Sequence, residues 1–236
     1  MLRSPEGSSD GRGHEAGFRH DALKSCFRDV FGCPGREFGS LSRGVLGISD
    51  GNEGVQWNAA YHPRDGVVWL GVNLEGMKYD NWPVARLIER EISRPLLLTR
   101  YRPKVARPDK VTVIWARDAW QYSARRRIKE ANVAPTPIAL DRLDGRGWAD
   151  ALRGARECLG PRRQRRGRKK VLVTLLPSKR HPWERQVEMD VSPHLKIRMP
   201  LAEIAARAVR RARGNLEALW EFAAHQSRPH GLRSGY

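Results

Sequence analysis

Apolar and polar residues alternate most clearly between Val55 and Leu74. Alternate positions from Val55 to Tyr61 are apolar, and the alternation resumes from Val68 to Leu74 after the turn-forming sequence Pro63-Arg64-Asp65-Gly66. A period of two residues indicates a strand with one buried face, and a short glycine-containing turn joins antiparallel strands. The pattern therefore predicts a β-hairpin with one wholly apolar face.

A second hairpin is predicted over residues 185–199, with its turn at Ser192-Pro193-His194. A register centred on Pro193 sets Glu188 opposite Arg198 on one face and pairs apolar residues on the other. Opposite charges and apolar pairs across two strands both stabilise a sheet. Further strands are expected at 111–115, at 170–176 and within 95–101, whereas the glycine-rich stretch 44–54 is expected to be a loop.

Apolar residues at helical spacing predict five helices. Pro83 and Pro200 each suit the first turn of a helix, where a missing N–H costs nothing. Both follow a predicted hairpin within a similar apolar-Pro-aliphatic-Ala sequence, so a duplicated hairpin-helix unit is one interpretation and coincidence is the other. The predicted helices cover residues 21–31, 83–92, 119–131, 146–159 and 200–225.

Antiparallel hairpins packed on helices define an α+β fold. We expect a single domain over residues 20–226, with flexible tails at 1–19 and 227–236. Three cysteines in 236 residues indicate reduced thiols rather than a disulfide framework, which favours a cytoplasmic location. No apolar run approaches the roughly 20 residues that a spanning helix needs, so a membrane is not an expected partner.

Positive charge is the strongest compositional feature. The formal net charge is +18, and seven of the ten residues from Pro161 to Lys170 are arginine or lysine. Unpaired ions at this density cannot be buried, so residues 161–170 form a basic loop that lies in solvent or against a polyanion. Nucleic acid, DNA or RNA, is the expected partner, and an acidic protein is the alternative.

Arginines would contact phosphate with their planar, two-pronged guanidinium groups, and nearby aromatic side chains would stack on unpaired bases. Trp115 lies within a predicted strand and is expected in the core instead. The predicted nucleic-acid-binding residues are Arg162, Arg163, Arg165, Arg166, Arg168, Lys169, Arg125, Arg126, Arg127, Trp120 and Tyr122.

The polar face of the first hairpin offers a second candidate site. A tryptophan beside amide side chains can hold a planar ring, although a helix packed over this face would bury the same residues. The residues of this face are Gln56, Asn58, Trp69, Asn73 and Glu75.

Acidic residues around the first hairpin suggest a magnesium-dependent nuclease of a restriction or defence type. Asp50 and Glu75 would hold Mg²⁺, and Lys78 would lie near the attacking water, so these three are the candidate catalytic residues. Two residues separate Glu75 from Lys78, whereas side chains that share one face of a strand are separated by one. Nucleic-acid binding without a cofactor is therefore the first hypothesis, and the nuclease is an alternative.

Overall fold

The described part of this computed structural model contains four α-helices and an eight-stranded sheet, which confirms the α+β fold class. No helix within that part is long and apolar enough to cross a membrane. The structure describes residues 10–33, 35–40, 45–49, 54–63, 65–75, 83–119, 128–129, 133, 137–159 and 169–228.

The sheet has the strand order β1-β2-β3-β4-β8-β5-β6, and β7 also pairs with β8. Antiparallel registers join β1 to β2, β2 to β3, β5 to β6, β5 to β8 and β7 to β8. The strands are β1 Arg36–Ser40, β2 Val45–Ser49, β3 Val55–His62, β4 Val67–Glu75, β5 Thr112–Ala119, β6 Ile138–Ala139, β7 Lys169–Leu175 and β8 Arg185–Leu201.

The α-helices are α1 Asp10–Phe31, α2 Pro83–Ser93, α3 Gly145–Glu157 and α4 Ala206–Ser227. A π-helix, Leu97–Tyr101, follows α2, and short 3-10 turns cover Arg102–Lys104, Pro108–Lys110 and Leu140–Arg142. Helix α3 begins after Asp144, whose carboxylate accepts a hydrogen bond from the Gly147 amide at 2.7 Å. A side-chain acceptor at this position satisfies an N–H that has no partner within the helix.

The chain divides into two compact units. The first consists of Met1–Gly51, Asn58–Leu70 and Pro200–Gly214, and the second of Asn52–Trp57, Gly71–Met199 and Asn215–Tyr236. The single domain expected over residues 20–226 stays a prediction.

In the first unit, α1 buries Leu23 and Phe27 completely. The guanidinium of Arg213 donates to the Val30 carbonyl at 2.9 Å and lies over the ring of Phe31 at 5.1 Å. Apolar packing and this cation–π contact together hold the end of α1.

In the second unit, aromatic rings form the centre of the core. The ring centroids of Trp115 and Trp148 are 6.1 Å apart, and the ring of Phe222 approaches Trp148 at 6.5 Å and Tyr101 at 5.5 Å. The expected burial of Trp115 is confirmed, since it is 1% exposed.

The first predicted hairpin is confirmed as β3 and β4. The amides of Asp65 and Gly66 donate to the His62 carbonyl at 3.1 and 2.9 Å, and Gly66 has φ 63°, a conformation that favours glycine. On the opposite face Gln56 is buried, and Asn58, Trp69 and Asn73 are half-buried. The buried apolar face includes Trp57, Ala59, Tyr61, Val68, Leu70, Val72 and Leu74.

The second predicted hairpin is wrong, because β8 is one continuous strand of 17 residues. Its first part pairs with β7 and its later part with β5, so Glu188 lies opposite Leu172 and Arg198 opposite Thr112. Apolar residues of β8 consequently face apolar partners on two separate strands, with Met189 opposite Val171 and Leu195 opposite Trp115. Pro193 therefore lies within a strand, where it lacks one hydrogen-bond donor, instead of forming a turn.

The duplicated hairpin-helix unit is not confirmed. The segment with the expected second hairpin is one strand, and β8 continues to Leu201, past Pro200. Helix α4 consequently begins at Ala206 rather than at Pro200.

Two further differences lie in the first unit. Helix α1 begins at Asp10, not at Asp21, and so extends into the segment expected to be a tail. Ala16, Leu23 and Phe27 are buried at helical spacing, and this packing outweighs the low helix propensity of the nearby glycines. The stretch Val45–Ser49, expected within a loop, is strand β2, because β3 supplies hydrogen-bonding partners along its edge.

Two predictions in the second unit also differ from the structure. Residues 97–101 form a π-helix instead of part of a strand, since Leu97 and Tyr101 are buried at helical spacing. The helix expected over 119–131 is wrong at its described ends: Ala119 ends β5, and Ile128 forms a β-bridge with Leu175. Residues 120–127 lie outside the described residues.

Candidate anion-binding cleft

Most of the residues predicted to act on or bind nucleic acid lie outside the described residues. Glu75 is the last residue of β4 and Lys169 is the first of β7, and the side chain of neither is described. The roles of these residues therefore stay predictions. The others are Asp50, Lys78, Trp120, Tyr122, Arg125, Arg126, Arg127, Arg162, Arg163, Arg165, Arg166 and Arg168.

An open cleft with a volume of about 400 Å³ lies beside α2 in the second unit. Arg86, Arg90 and Arg94 follow one another at intervals of four residues, a spacing that brings side chains to one face of a helix. Three guanidinium groups and one carboxylate give this arginine cleft a net positive charge. Its lining residues are Arg86, Glu89, Arg90, Ser93, Arg94, Leu96 and Gln226.

The last turn of α4 holds two of these arginines. Arg86 Nε donates to the Ser227 carbonyl at 2.7 Å, and Arg90 Nη1 donates to the carbonyls of His225 and Gln226 at 2.9 and 3.0 Å. Carbonyls at the end of a helix lack intrahelical partners and carry the negative end of the helix dipole, so they attract cations. These bonds fix both side chains while using only some of the five N–H donors of each guanidinium.

Arg86 also has an unsatisfied donor. Its Nη2 atom is buried and has no hydrogen-bond acceptor among the described residues. Burial lowers the pKa of Arg86, the nearby charge of Arg90 lowers it further, and Glu89 opposes this change. An anion in the cleft would relieve the repulsion between the two guanidinium groups and offer acceptors for the remaining donors.

Arg94 differs from the other two arginines because its side chain is exposed and forms no hydrogen bond or ion pair with any described residue. It follows the last residue of α2, where its amide donates to the Arg90 carbonyl at 2.7 Å. The backbone is therefore fixed while the guanidinium stays available to a ligand.

A buried carboxylate supports the cleft from behind. Glu91 is 1% exposed. It accepts hydrogen bonds from the amides of Leu96 and Leu97, both at 3.1 Å, from Trp148 Nε1 at 3.0 Å and from Gln226 Nε2. Burial raises the pKa of Glu91, and these four donors oppose that rise.

The Glu91 carboxylate thus links α2 to the π-helix, to α3 and to α4. Gln226 donates one hydrogen bond to Glu91 through its side-chain amide and accepts another from Arg90 through its backbone carbonyl. Glu91 therefore positions the wall of the arginine cleft without lining it.

Sequence reasoning missed Glu91, although a signal for it was present. Position 91 continues the buried helical stripe of Leu87 and Ile88, whereas the more hydrophobic Ile92 is 43% exposed. The four-residue spacing of the arginines was also visible in the sequence. No local pattern could place Gln226 beside α2, since it is 135 residues from Glu91.

Positive charge extends beyond the cleft along the end of α4. The pKa of His225 is lowered, first by burial and then by the charges of Arg100, Arg90 and Arg228. Three guanidinium groups from different segments therefore act on one imidazole. Positive charge therefore surrounds His225 at this end of α4.

Arg207 and Arg153, by contrast, are exposed arginines that carboxylates neutralise. Arg207 forms two bonds with Glu203, at 2.7 and 3.0 Å, and Arg153 is paired with Asp150.

Within the described ranges, no group of three or more His, Cys, Asp and Glu side chains is arranged to hold a metal ion. Comparisons of this chain with protein-family models, with curated proteins and with solved structures find no match.

Proposed function

We propose that this protein binds nucleic acid through contacts with the phosphate backbone. The observation that carries this proposal is the arginine cleft, where Arg86, Arg90 and Arg94 share one open surface with a single carboxylate. Arginine forms paired, charge-assisted hydrogen bonds with phosphate oxygens. An open cleft admits a polymer as well as a small anion, and the net charge of +18 favours a polyanion.

The engaged side chains of the cleft favour phosphate contacts over the recognition of bases. Ser93 donates its hydroxyl hydrogen to the Glu89 carbonyl at 3.0 Å, and the amide of Gln226 donates to Glu91. These two groups would otherwise be the natural donors to base edges. The arginines remain as the principal donors, so we expect binding that depends little on sequence.

Fluorescence anisotropy with labelled oligonucleotides at increasing salt tests this proposal. The affinity should fall steeply with salt, because each neutralised phosphate releases a counterion. Arg94→Gln should weaken binding by roughly three- to tenfold and reduce the magnitude of the salt slope by about one. The matched control, Arg153→Gln, removes the same charge where Asp150 already neutralises it, and should change the affinity less than about twofold.

Equal losses in the two variants would mean that only net charge matters, and would overturn the role of the cleft. An affinity that stays nearly constant between low and moderate salt would overturn phosphate binding itself. Capture of a protein partner that resists nuclease treatment would favour the alternative of an acidic protein partner.

The magnesium-dependent nuclease is a distinct alternative, which the described residues do not favour over binding. Incubation with plasmid DNA and with RNA, each with and without Mg²⁺, separates the two functions. Tight binding without cleavage supports a binding protein. Cleavage that requires Mg²⁺ and disappears in Glu75→Gln would establish the enzyme.

A further inference from the structure

Trp183 is unusual among the tryptophans of the second unit because 63% of its surface is exposed, whereas Trp115 and Trp148 are each 1% exposed. It lies in the segment between β7 and β8, which we call the Trp183 arm and define as Ser178–Glu184. The exposed ring leaves an apolar, π-electron surface in water that a planar ligand can cover.

Backbone hydrogen bonds give the arm a defined shape. The Ser178 amide donates to the His181 carbonyl at 2.7 Å, and the His181 amide donates back to the Ser178 carbonyl at 3.1 Å. Lys179 and Arg180 occupy the two positions between them, and both are exposed. The arm therefore presents two cations at the tip of a closed turn.

The tryptophan ring has defined neighbours. The ring of His181 meets that of Trp183 edge-on, with the centroids 6.4 Å apart and the planes at 67°. Pro182 lies between them, and its fixed φ restricts the connection. One exposed aromatic face is thus held beside a turn that carries two cations.

The acidic residue that follows Trp183 in sequence is neutralised within the protein. Both carboxylate oxygens of Glu184 accept hydrogen bonds from Lys129 Nζ, at 3.1 and 2.9 Å. Lys179 and Arg180 are exposed and have no carboxylate partner among the described residues, so the arm offers two cations to an anionic ligand.

We infer that the Trp183 arm is a stacking platform for an unpaired base of single-stranded nucleic acid, with Lys179 and Arg180 contacting the adjoining phosphates. This inference rests on the proposed function and specifies its substrate class. An aromatic side chain beside cations is the arrangement that binds single strands, because every base offers a π-face for stacking. In an intact duplex the bases are already stacked on each other, so Trp183 gains no comparable contact.

The charge of the arm disfavours a second copy of this chain as its partner. Two arms that met symmetrically would bring Lys179 and Arg180 of each copy together, and like charges repel. A nucleic-acid strand supplies both an aromatic surface and the opposite charge. It is therefore the occupant to which this inference commits.

The test compares the binding of oligothymidine with the binding of a blunt duplex of equal length at the same salt. Trp183→Ala should weaken single-strand binding at least fivefold, since stacking contributes about 1–3 kcal/mol per base, and should change duplex binding less than about twofold. Trp183→Phe should retain most of the single-strand affinity. Phe18→Ala is the matched control, because Phe18 is an aromatic residue that is 71% exposed on α1, and it should change neither affinity.

The outcomes separate this inference from the proposed function. If the wild type binds with steep salt dependence but Trp183→Ala leaves both affinities unchanged, or lowers both equally, the stacking role is overturned and phosphate binding stands. If the wild type binds neither oligonucleotide, the proposed function fails as well. A wild-type dimer that Trp183→Ala dissociates in sedimentation experiments would make the arm a self-association surface and would overturn the inference.

Discussion

The arginine cleft and the ion-paired surfaces of the protein use the same side chain in opposite ways. Arg153 and Arg207 are paired with carboxylates three or four residues away, Asp150 and Glu203. In the cleft, Arg86 and Arg90 donate to carbonyls at the end of α4 instead. Both settings fix guanidinium groups, but only the first neutralises them fully.

The difference is one of charge balance. A carboxylate supplies a full negative charge, whereas the end of a helix supplies roughly half of one. The positive charge of the cleft is therefore only partly neutralised, because Glu89 is the single carboxylate among the lining residues, against Arg86, Arg90 and Arg94. A binding surface is identified by the partners of each cation rather than by the net charge of the protein.

The largest expected effect comes from Glu91, which supports the cleft. Glu91→Ala would leave four buried donors without their acceptor, including Trp148 Nε1 and the Leu96 and Leu97 amides. We expect the free energy of unfolding to fall by about 3 kcal/mol or more, because unsatisfied buried donors retain their desolvation cost. Urea denaturation, followed by circular dichroism, measures this change.

Glu89→Ala is the matched control, because it removes an exposed carboxylate from the same helix. Its effect should stay within about 0.5 kcal/mol. Equal stabilities of the two variants would show that the Glu91 hydrogen bonds do not hold the wall of the cleft, and the contrast with the ion-paired surfaces would lose its structural basis.

The sequence predicted those parts of the fold that local patterns determine. The hairpin of β3 and β4, helix α2 and helix α3 each combine a clear period with a local signal such as Gly66, Pro83 or Asp144. Such elements bury one face and end where the signal stands, so neighbouring residues suffice to locate them.

The remainder depends on partners distant in sequence. Nothing near Pro193 reveals that β5 will pair along β8, and the local turn signal of proline was therefore misleading. The cleft also depends on residues distant in sequence. Helix α2 supplies its arginines, but the carbonyls that hold Arg86 and Arg90 belong to residues 225–227. Trp183 was missed because no local pattern separates an exposed tryptophan from a buried one.

A second prediction concerns the basic segment at residues 161–170, which contains five arginines. Replacing Arg162, Arg163, Arg165 and Arg166 with glutamine should weaken nucleic-acid binding roughly tenfold and reduce the magnitude of the salt slope, because up to four phosphate contacts are lost. The fold should remain intact, since like charges at this density do not belong to a core. Anisotropy titrations and thermal melting measure the two properties.

An equally charged control sharpens this comparison. Replacing four arginines that are paired with carboxylates removes the same formal charge and should weaken binding much less. Similar losses in both quadruple variants would indicate that overall charge, rather than the arginines of residues 161–170, governs binding. The four control positions are Arg19, Arg107, Arg153 and Arg207, with partners Glu15, Asp109, Asp150 and Glu203.

The smallest effect is a shift in the titration of His225, which reports the field at the end of α4. Burial and the charges of Arg100, Arg90 and Arg228 lower its pKa, so its midpoint in an NMR titration should lie below about 6.5. Arg100→Gln should raise that midpoint by removing one repelling charge, while Arg153→Gln should leave it unchanged. Added oligonucleotide should raise it also, because phosphate favours the imidazolium.

The sign of the accompanying stability change follows from linkage. Because the pKa of His225 is lowered in the folded state, the unfolded protein binds more protons between that pKa and about 6.5. The contribution of His225 to stability is therefore fully present above about pH 6.5 and is lost as the pH falls through this range. Oligonucleotide binding should instead strengthen as the pH falls, since protonated His225 adds a cation beside the arginine cleft. If neither Arg100→Gln nor added oligonucleotide changes the midpoint, the electrostatic potential at this end of α4 is no more positive than at the ion-paired surfaces.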